Sequence, residues 1–178
     1  SSTSAWRGRR AVDIYLEALG EAHPTTAMNL CNLASGLAEA GARDEARAWF
    51  SRAEAAYERA YGGPHPEMAL AITGLAETFA AEGRWEEAAA HLRRAAAVAQ
   101  SGPGEPPWYA FTAMRQEVRA LLALGRFAEA EARAVELVAR TRARAPDERA
   151  GFLCLLAPAR AGAGAPAAAL ADAAAAIE

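Results

Sequence analysis

The sequence has no lysine, only two cysteines and few aromatic residues, and these shortages narrow the class of protein. All 19 basic residues are arginines, and they are interleaved with 22 acidic residues, so that the net charge is −3. A charge this close to neutral provides no broad positive field for nucleic acid or anionic lipid. We interpret the missing lysines as a sign of a GC-rich coding sequence, and we predict a bacterial origin.

Long hydrophobic runs are also missing. No run approaches the roughly 18 apolar residues that a membrane-spanning helix needs. The early arginines Arg7, Arg9 and Arg10 are not followed by the apolar core of a signal peptide. Hydrophobic residues make up 53% of the chain but aromatic residues only 7%, so alanine supplies much of the apolar content, which favours helices that approach closely. We predict a soluble, all-α protein.

One short segment recurs at a fixed spacing. Gly41-Ala-Arg-Asp-Glu-Ala46 returns as Gly83-Arg-Trp-Glu-Glu-Ala88 and again as Gly125-Arg-Phe-Ala-Glu-Ala130, each time after 42 residues. A glycine followed by Glu-Ala is typical of the end of one helix and the start of the next. The chain is therefore predicted to be an array of two-helix repeats, each of which buries its apolar face against the next.

The period divides the whole chain. We predict one domain over residues 1–178 with about nine helices, made of a half repeat at 1–20, repeats at 21–62, 63–104 and 105–145, and a degenerate repeat at 146–178. Residues Ser1 to Arg10 are expected to be loose, Pro158 to kink its helix, and Pro166 to Glu178 to form an alanine-rich helix. The half repeat leaves an apolar helix face without a neighbour, which predicts either a longer array or another segment that covers it.

The inward-facing residues follow helical spacing, with one exception. Predicted core positions include Leu30, Leu33, Trp49, Phe50, Tyr57, Ile72, Leu75, Trp85, Leu92, Met114 and Leu137. Glu117 stands at the repeat position that Leu33 and Leu75 occupy. A buried carboxylate is unfavourable there unless the helix rotates or an arginine reaches it.

These residues carry a family resemblance. The pattern Leu33-Ala34-x-x-Leu37, Gly41, Ala46-x-x-x-Phe50 resembles the tetratricopeptide repeat. The 42-residue period, longer than the usual 34 or so, and the Gly-x-x-His-Pro loops ending in Pro24 and Pro66 resemble the kinesin-light-chain type. The resemblance implies a right-handed α-α superhelix of antiparallel helix pairs, of a kind also found in bacterial multidomain signalling proteins.

The resemblance also implies a binding groove. In the family the first helices of successive repeats line a concave face, and the matching positions here are Asn32, Ser35, Thr73, Glu77, Arg115, Gln116 and Arg119. Amides such as Asn32 and Gln116 would bond an extended peptide backbone, and Arg115 and Arg119 would hold a carboxylate of the partner. The alternative is that Glu77 pairs with Arg119 across the interface between repeats.

The favoured function is a non-catalytic protein–protein interaction module in the cytoplasm, without cofactor or metal. The alternative is a structural, oligomerisation or regulatory-sensor segment of a larger protein that packs through its terminal helices. We interpret His23-Pro24 and His65-Pro66 as helix starts rather than metal ligands, because proline suits the first helical position. Cys31 and Cys154, three repeats apart, are predicted to be free thiols, and no enzyme motif occurs.

Overall fold

The structure, a computed structural model, describes residues 2–140 and 146–165, and all regular structure in these ranges is helical. The eight helices are α1 (Ser2–Leu19), α2 (Pro24–Glu39), α3 (Arg43–Tyr61), α4 (Met68–Ala80), α5 (Trp85–Ala99), α6 (Trp108–Ala123), α7 (Phe127–Arg140) and α8 (Pro146–Gly162). The all-α prediction is confirmed. The predicted helix from Pro166 to Glu178 lies outside the described residues.

Glycines in the left-handed region lie between successive helices at regular spacing. From Gly20 to Gly125 they recur every 21 residues, each with a φ between 70° and 92°. This conformation carries no penalty for glycine and strains any other residue, so each of these glycines turns the chain between antiparallel helices. The interpretation of the repeated segment as a helix end is therefore correct. Glycines also recur at half of its 42-residue period.

Two predicted helix starts differ from the structure. Helix α1 begins at Ser2, so the expectation of a loose segment up to Arg10 was wrong; Gly8 lies inside the helix, where an added Cβ would be 3.0 Å from Leu33 Cδ1. Helix α4 begins at Met68 rather than at Pro66, because Pro66 and Glu67 form a turn in which the Met68 amide donates to the His65 carbonyl at 2.9 Å.

The chain forms two compact units, Ser1–Ala110 (unit 1) and Phe111–Glu178 (unit 2). In unit 1, α2 packs along α3 and α4 along α5, while α1 packs on α2 and α3 on α4. The unit 1 core contains Leu30, Leu33, Leu37, Phe50, Tyr57, Ile72, Leu75 and Leu92. These are the apolar positions that the period predicts.

Two tryptophans predicted to lie in this core are only partly buried. Trp49 lies at the edge of α3, where its Nε1 donates to Glu45 at 3.3 Å and the Arg52 guanidinium lies 5.3 Å from its ring. Trp85 is the first residue of α5 and is also partly exposed. An edge position and a first turn both leave one side of the ring in contact with solvent.

Unit 2 packs α7 against α8 around a small core of Val118, Leu121, Ala130, Ala134, Leu156 and Ala159. Glu117 is only 3% exposed, and Arg133 Nε donates to its carboxylate at 2.7 Å. Of the two conditions under which this carboxylate was expected to be tolerated, rotation of the helix or a contacting arginine, the structure shows the second. Helix α8 continues across Pro158. No helix in the described ranges combines the length and hydropathy needed to cross a membrane.

Candidate functional site

Two polar stripes lie on neighbouring helices of unit 1. On α2, Asn32 and Ser35 are both exposed and three residues apart, so they share one face of the helix. On α4, Thr73 is half-buried and Glu77, four residues later, is exposed. Helices α2 and α4 contact each other, and α3 packs against both of them. The four predicted site residues of unit 1 therefore belong to one helical layer.

A groove of about 330 Å³ lies between these helices. We call it the α2–α4 groove; its lining residues are Ser35, Ala38, Glu39, Arg43, Phe50, Gly74, Glu77, Thr78 and Ala81. Two predicted site residues, Ser35 and Glu77, line it directly. Asn32 and Thr73 do not line it, although each is one helical turn from a residue that does.

The floor of the groove is formed where a phenylalanine meets a glycine. Phe50 of α3 is buried, and a Cβ added to Gly74 of α4 would overlap its ring. Only a residue without a side chain lets α4 approach α3 this closely, so Gly74 both fixes the helix spacing and keeps the floor flat.

Charged and polar groups surround this floor. Glu39 ends α2, Arg43 begins α3 and Glu77 lies on α4, while the buried Thr78 hydroxyl donates to the Leu75 carbonyl at 2.7 Å. Thr78 is thereby satisfied within its own helix. The wall thus offers one guanidinium, two carboxylates and the Ser35 hydroxyl, which suits a polar, extended segment better than an apolar ligand.

The remaining predicted residues lie on α6 of unit 2. Arg115 and Arg119 are exposed and four residues apart on one helix face, the spacing at which two side chains can reach one anion. Gln116 is half-buried. Because Glu77 belongs to unit 1 and Arg119 to unit 2, the alternative pairing of these two residues stays a prediction.

The His-Pro loops have a structural role. His23 Nδ1 accepts from the Thr25 amide at 3.1 Å and caps the start of α2, whereas His65 Nδ1 accepts from the Glu67 amide at 3.3 Å within the turn that precedes α4. No group of three or more metal-ligating side chains is placed to hold a metal ion in the described part of the chain. The interpretation as a helix start is supported for His23-Pro24, where the side-chain cap is an addition that the proline alone did not predict; at His65-Pro66 the helix begins two residues after the proline.

Aromatic stacking holds the second of these loops. Tyr61 stacks on His65 with ring centroids 3.5 Å apart, and its hydroxyl donates to Glu67 at 2.9 Å. Burial and this hydrogen bond raise the pKa of Tyr61 to about 12. The loop between α3 and α4 is therefore fixed at both ends, which sets the position of α4 beside α2.

An arginine-rich cluster surrounds Phe79 of α4 in unit 1. The Phe79 ring stacks on His91 at 5.3 Å, and the guanidiniums of Arg47 and Arg84 lie 5.1 Å and 4.5 Å from the ring centroid. Arg47 also lies 3.1 Å from Glu82, while Arg84 Nε donates to Glu87 at 2.9 Å. These arginines are paired within the repeats, which indicates a structural role.

Comparison with known proteins matches this geometry to a family. Residues 30–101, which run from the middle of α2 past the end of α5, match the family model described as "Tetratricopeptide repeat". These residues are tetratricopeptide repeats. A search of curated protein sequences gave no significant match.

Similarity to solved structures extends over nearly the whole chain. The crystal structure described as "Podosopora anserina putative kinesin light chain nearly identical TPR-like repeats" superposes with a TM-score of 0.78 at 20% identity, covering 98% of this chain and 84% of that one. BtubC (BKLC) from P. vanneervenii superposes with a TM-score of 0.62 at 14% identity, covering 98% and 86%. At these identities the likeness shows the fold, and it confirms the predicted solenoid of the kinesin-light-chain type.

Sequence reasoning missed several residues of the groove. Glu39 and Arg43 were not predicted, although Glu39 follows Ser35 by four residues and so continues its stripe. Phe50 was assigned to the core alone. Its contact with Gly74 was not predictable from the spacing, because it depends on how closely α3 and α4 approach.

Proposed function

We propose that the chain is a non-catalytic interaction module and that the α2–α4 groove binds an extended segment of a partner protein. Tetratricopeptide repeats commonly mediate protein–protein interaction and generally act as scaffolds rather than catalysts. The observation that supports the proposal for this chain is the groove itself, which two of the residues expected from the family pattern line. Its width is set by rigid helices, so little ordering of the protein opposes binding.

The mechanism of binding is polar. Asn32 and Ser35 can donate to and accept from a peptide backbone, which supplies affinity without sequence preference. Glu39 and Glu77 favour donors on the bound segment, while Arg43 favours an acceptor. An affinity on the order of micromolar, about −8 kcal/mol, is ordinary for such a surface.

On unit 2 we propose a separate contact for a carboxylate. Arg115 and Arg119 are exposed on α6 and offer two guanidiniums at one helical face, and charge-assisted hydrogen bonds from guanidinium to carboxylate are stronger than neutral ones. Gln116 lies between them and can bond the adjacent backbone. A partner segment with an acidic group is the chemistry that this face fits. The free thiols Cys31 and Cys154 accord with the cytoplasmic location that we propose.

A matched pair of serines tests the groove. Peptides selected by display against the whole chain should lose at least about tenfold in affinity in Ser35→Arg, because a long side chain would fill the groove. Ser51→Arg, on an exposed position of α3 outside the groove, should bind them unchanged. Fluorescence polarisation of labelled peptides measures both. Equal binding by the two variants would contradict the proposal.

A second pair tests the carboxylate contact. The double variant Arg115→Ala with Arg119→Ala should bind selected peptides that carry Asp or Glu more weakly. Its affinity for the same peptides with Asn or Gln in place of Asp or Glu should be unchanged. The same peptides measured against Arg93→Ala, an exposed arginine of α5, provide the control for loss of positive charge. If both variants bind every peptide equally, Arg115 and Arg119 are not part of the binding surface.

A further inference from the structure

The first helix of the third repeat begins with two aromatic residues, where the earlier repeats have a proline. The 42-residue period aligns Trp108 with Pro24 and Pro66, and it aligns Tyr109 with Glu67. Trp108 is 63% exposed, and its ring is 5.6 Å from that of Tyr109, with the two planes at 79°. Proline suits a helix start, whereas a tryptophan this exposed contributes little to packing. Exposed tryptophan and tyrosine are instead typical of binding surfaces.

A third ring and a carboxylate lie beside this pair. Tyr61 is 38% exposed and donates its hydroxyl to Glu67 at 2.9 Å. A Cβ added to Gly102 would lie 2.8 Å from Pro66 Cγ, so the loop before α6 touches the turn before α4. Burial raises the pKa of Tyr109, and the charge of Glu67 raises it further, so this carboxylate lies close to both tyrosines. We call Tyr61, Glu67, Trp108 and Tyr109, all in unit 1, the aromatic patch.

Elsewhere in unit 1, aromatic rings near a carboxylate are covered by an arginine. The Arg52 guanidinium lies 5.3 Å from the centre of the Trp49 ring, whose Nε1 donates to Glu45 at 3.3 Å. Arg84, which is also ion-paired, lies 4.5 Å from the centre of the Phe79 ring. A guanidinium is attracted to the negative face of an aromatic ring, and a nearby carboxylate adds to the attraction. Arginine is therefore the residue that this combination of groups binds within the chain itself.

The carboxylate of the aromatic patch has no arginine of its own. In the part of the chain that the structure describes, Glu67 accepts a side-chain hydrogen bond from the neutral Tyr61 hydroxyl and forms no ion pair. No guanidinium lies over the Tyr109 ring within these residues. Glu105, exposed in the loop before α6, adds a second negative charge. Glu67 and Tyr109 thus offer a negative charge and a ring to a cation from another molecule.

We propose that the aromatic patch binds an arginine side chain of a partner protein, which stacks on the rings of Trp108 and Tyr109 and pairs with Glu67. The guanidinium is planar, so it can lie on a ring while its N–H groups reach the carboxylate. Lysine carries a compact, strongly hydrated charge and fits this combination less well. The patch shares no residue with the lining of the α2–α4 groove. It is therefore a second contact, which does not depend on the groove.

Three matched peptides test the site with the whole 178-residue chain. The probes are Gly-Gly-Arg-Gly-Gly with blocked ends and the same peptide with lysine, or with citrulline, the neutral isostere of arginine. Backbone amide NMR signals of Glu67 and Tyr109 report binding. The arginine peptide should shift them saturably, and the dissociation constant should be at least about threefold larger for lysine and about tenfold larger for citrulline.

Two results would overturn this site: equal affinity for the citrulline peptide, or shifts confined to the α2–α4 groove. The second of these would leave the proposed function of the groove intact. Equal affinity for the lysine peptide would overturn the choice of arginine.

Substitutions in the patch provide an independent measurement. Trp108→Ala and Glu67→Gln should each raise the dissociation constant of the arginine peptide at least about threefold. The exposed tryptophan is not needed for packing, and glutamine still accepts from the neighbouring tyrosine, so circular dichroism should show both variants folded. Trp85→Ala and Glu86→Gln, which change the same residue types at the start of α5, are the matched controls and should bind normally. Unchanged affinity in either patch variant, or equal weakening in the controls, counts against the site.

Discussion

Units 1 and 2 fill the same repeat position with opposite chemistry. Unit 1 has Leu33 and Leu75, at 3% and 7% exposed, and unit 2 has Glu117, also 3% exposed. The residue sixteen positions later changes as well, and in the three repeats it is in turn Trp49, His91 and Arg133. An apolar or aromatic combination in unit 1 thus becomes an ion pair in unit 2.

The comparison teaches that the two positions act together. A buried carboxylate tolerates its site only when a partner compensates the lost hydration. Arg133 provides that partner, and although burial opposes its charge, the carboxylates of Glu117 and Glu136 raise its pKa above the ordinary value. Two independent substitutions would each have been unfavourable, whereas the changed pair preserves the helix packing.

Removal of Arg133 should have the largest effect on stability. Arg133→Ala leaves Glu117 buried without its partner and should lower the free energy of unfolding by about 3 kcal/mol, at the low end of the range for buried pairs because the arginine keeps some contact with solvent. Urea denaturation followed by circular dichroism measures it. Arg126→Ala, which breaks the exposed pair with Glu129, should change stability by only about 0–1 kcal/mol.

The leucine–histidine combination of the second repeat, in unit 1, should also pack stably at the equivalent positions of unit 2. Glu117→Leu together with Arg133→His recreates the residues of the second repeat, and it should bring stability to within about 1 kcal/mol of the wild type or above it. A double variant as unstable as Arg133→Ala would show that the surroundings of the two positions are not equivalent.

Two helical glycines of unit 1 should respond oppositely to alanine. Gly74→Ala drives a methyl group into the Phe50 ring and should be destabilising by about 1–3 kcal/mol. Gly36→Ala, in α2, meets no atom within 4 Å and should be stabilising by about 0.5–1 kcal/mol, because alanine is the better helix former. Thermal and urea unfolding measure both. Similar effects of the two changes would be inconsistent with a tight α3–α4 contact at Gly74.

The smallest effect concerns pH. Burial lowers the pKa of His91, the Arg94 charge lowers it further, and the carboxylates of Glu54 and Glu87 act in the opposite direction. The folded state therefore binds a proton at His91 less strongly than the unfolded state does. The stability that His91 contributes is present above its unfolded pKa of about 6.5 and is lost as pH falls through that value toward the lower folded pKa.

The measurement is the urea midpoint at pH 7.5 and at pH 5.5. The midpoint should decrease more in the wild type than in His91→Trp, which places the residue of the first repeat at this position. Arg133, the equivalent residue of unit 2, stays charged over this range and adds no such dependence. Parallel decreases in the wild type and in the variant would exclude His91 as the source.

Most of the fold was predictable from sequence, because the glycines indicate where helices end and the alanines indicate helices that approach closely. The spacing of Gly41, Gly83 and Gly125 gave the helix boundaries, since a left-handed residue between helices is almost always glycine. The need for an arginine at Glu117 was also predictable. The identity of that arginine could have been found from the 42-residue shift, which places Trp49, His91 and Arg133 at one repeat position.

The groove was predictable only in part. Ser35 and Glu77 follow from the positions that the family resemblance assigns, because these depend only on the helical face. Glu39 and Arg43 come from the two sides of a turn, whose geometry the spacing does not specify. The boundary between the units, within α6, has no counterpart in the sequence either, since the period continues across it.

Cys31 gives the molecule a built-in probe of local opening. Burial raises the pKa of its thiol to about 12, whereas Cys154 is exposed. Thiol reagents attack the thiolate, so in the folded chain they should modify Cys154 at once and reach Cys31 only when α2 separates from its neighbours. The rate of this second, slow alkylation would follow the opening of the first full repeat at Cys31, without any added label.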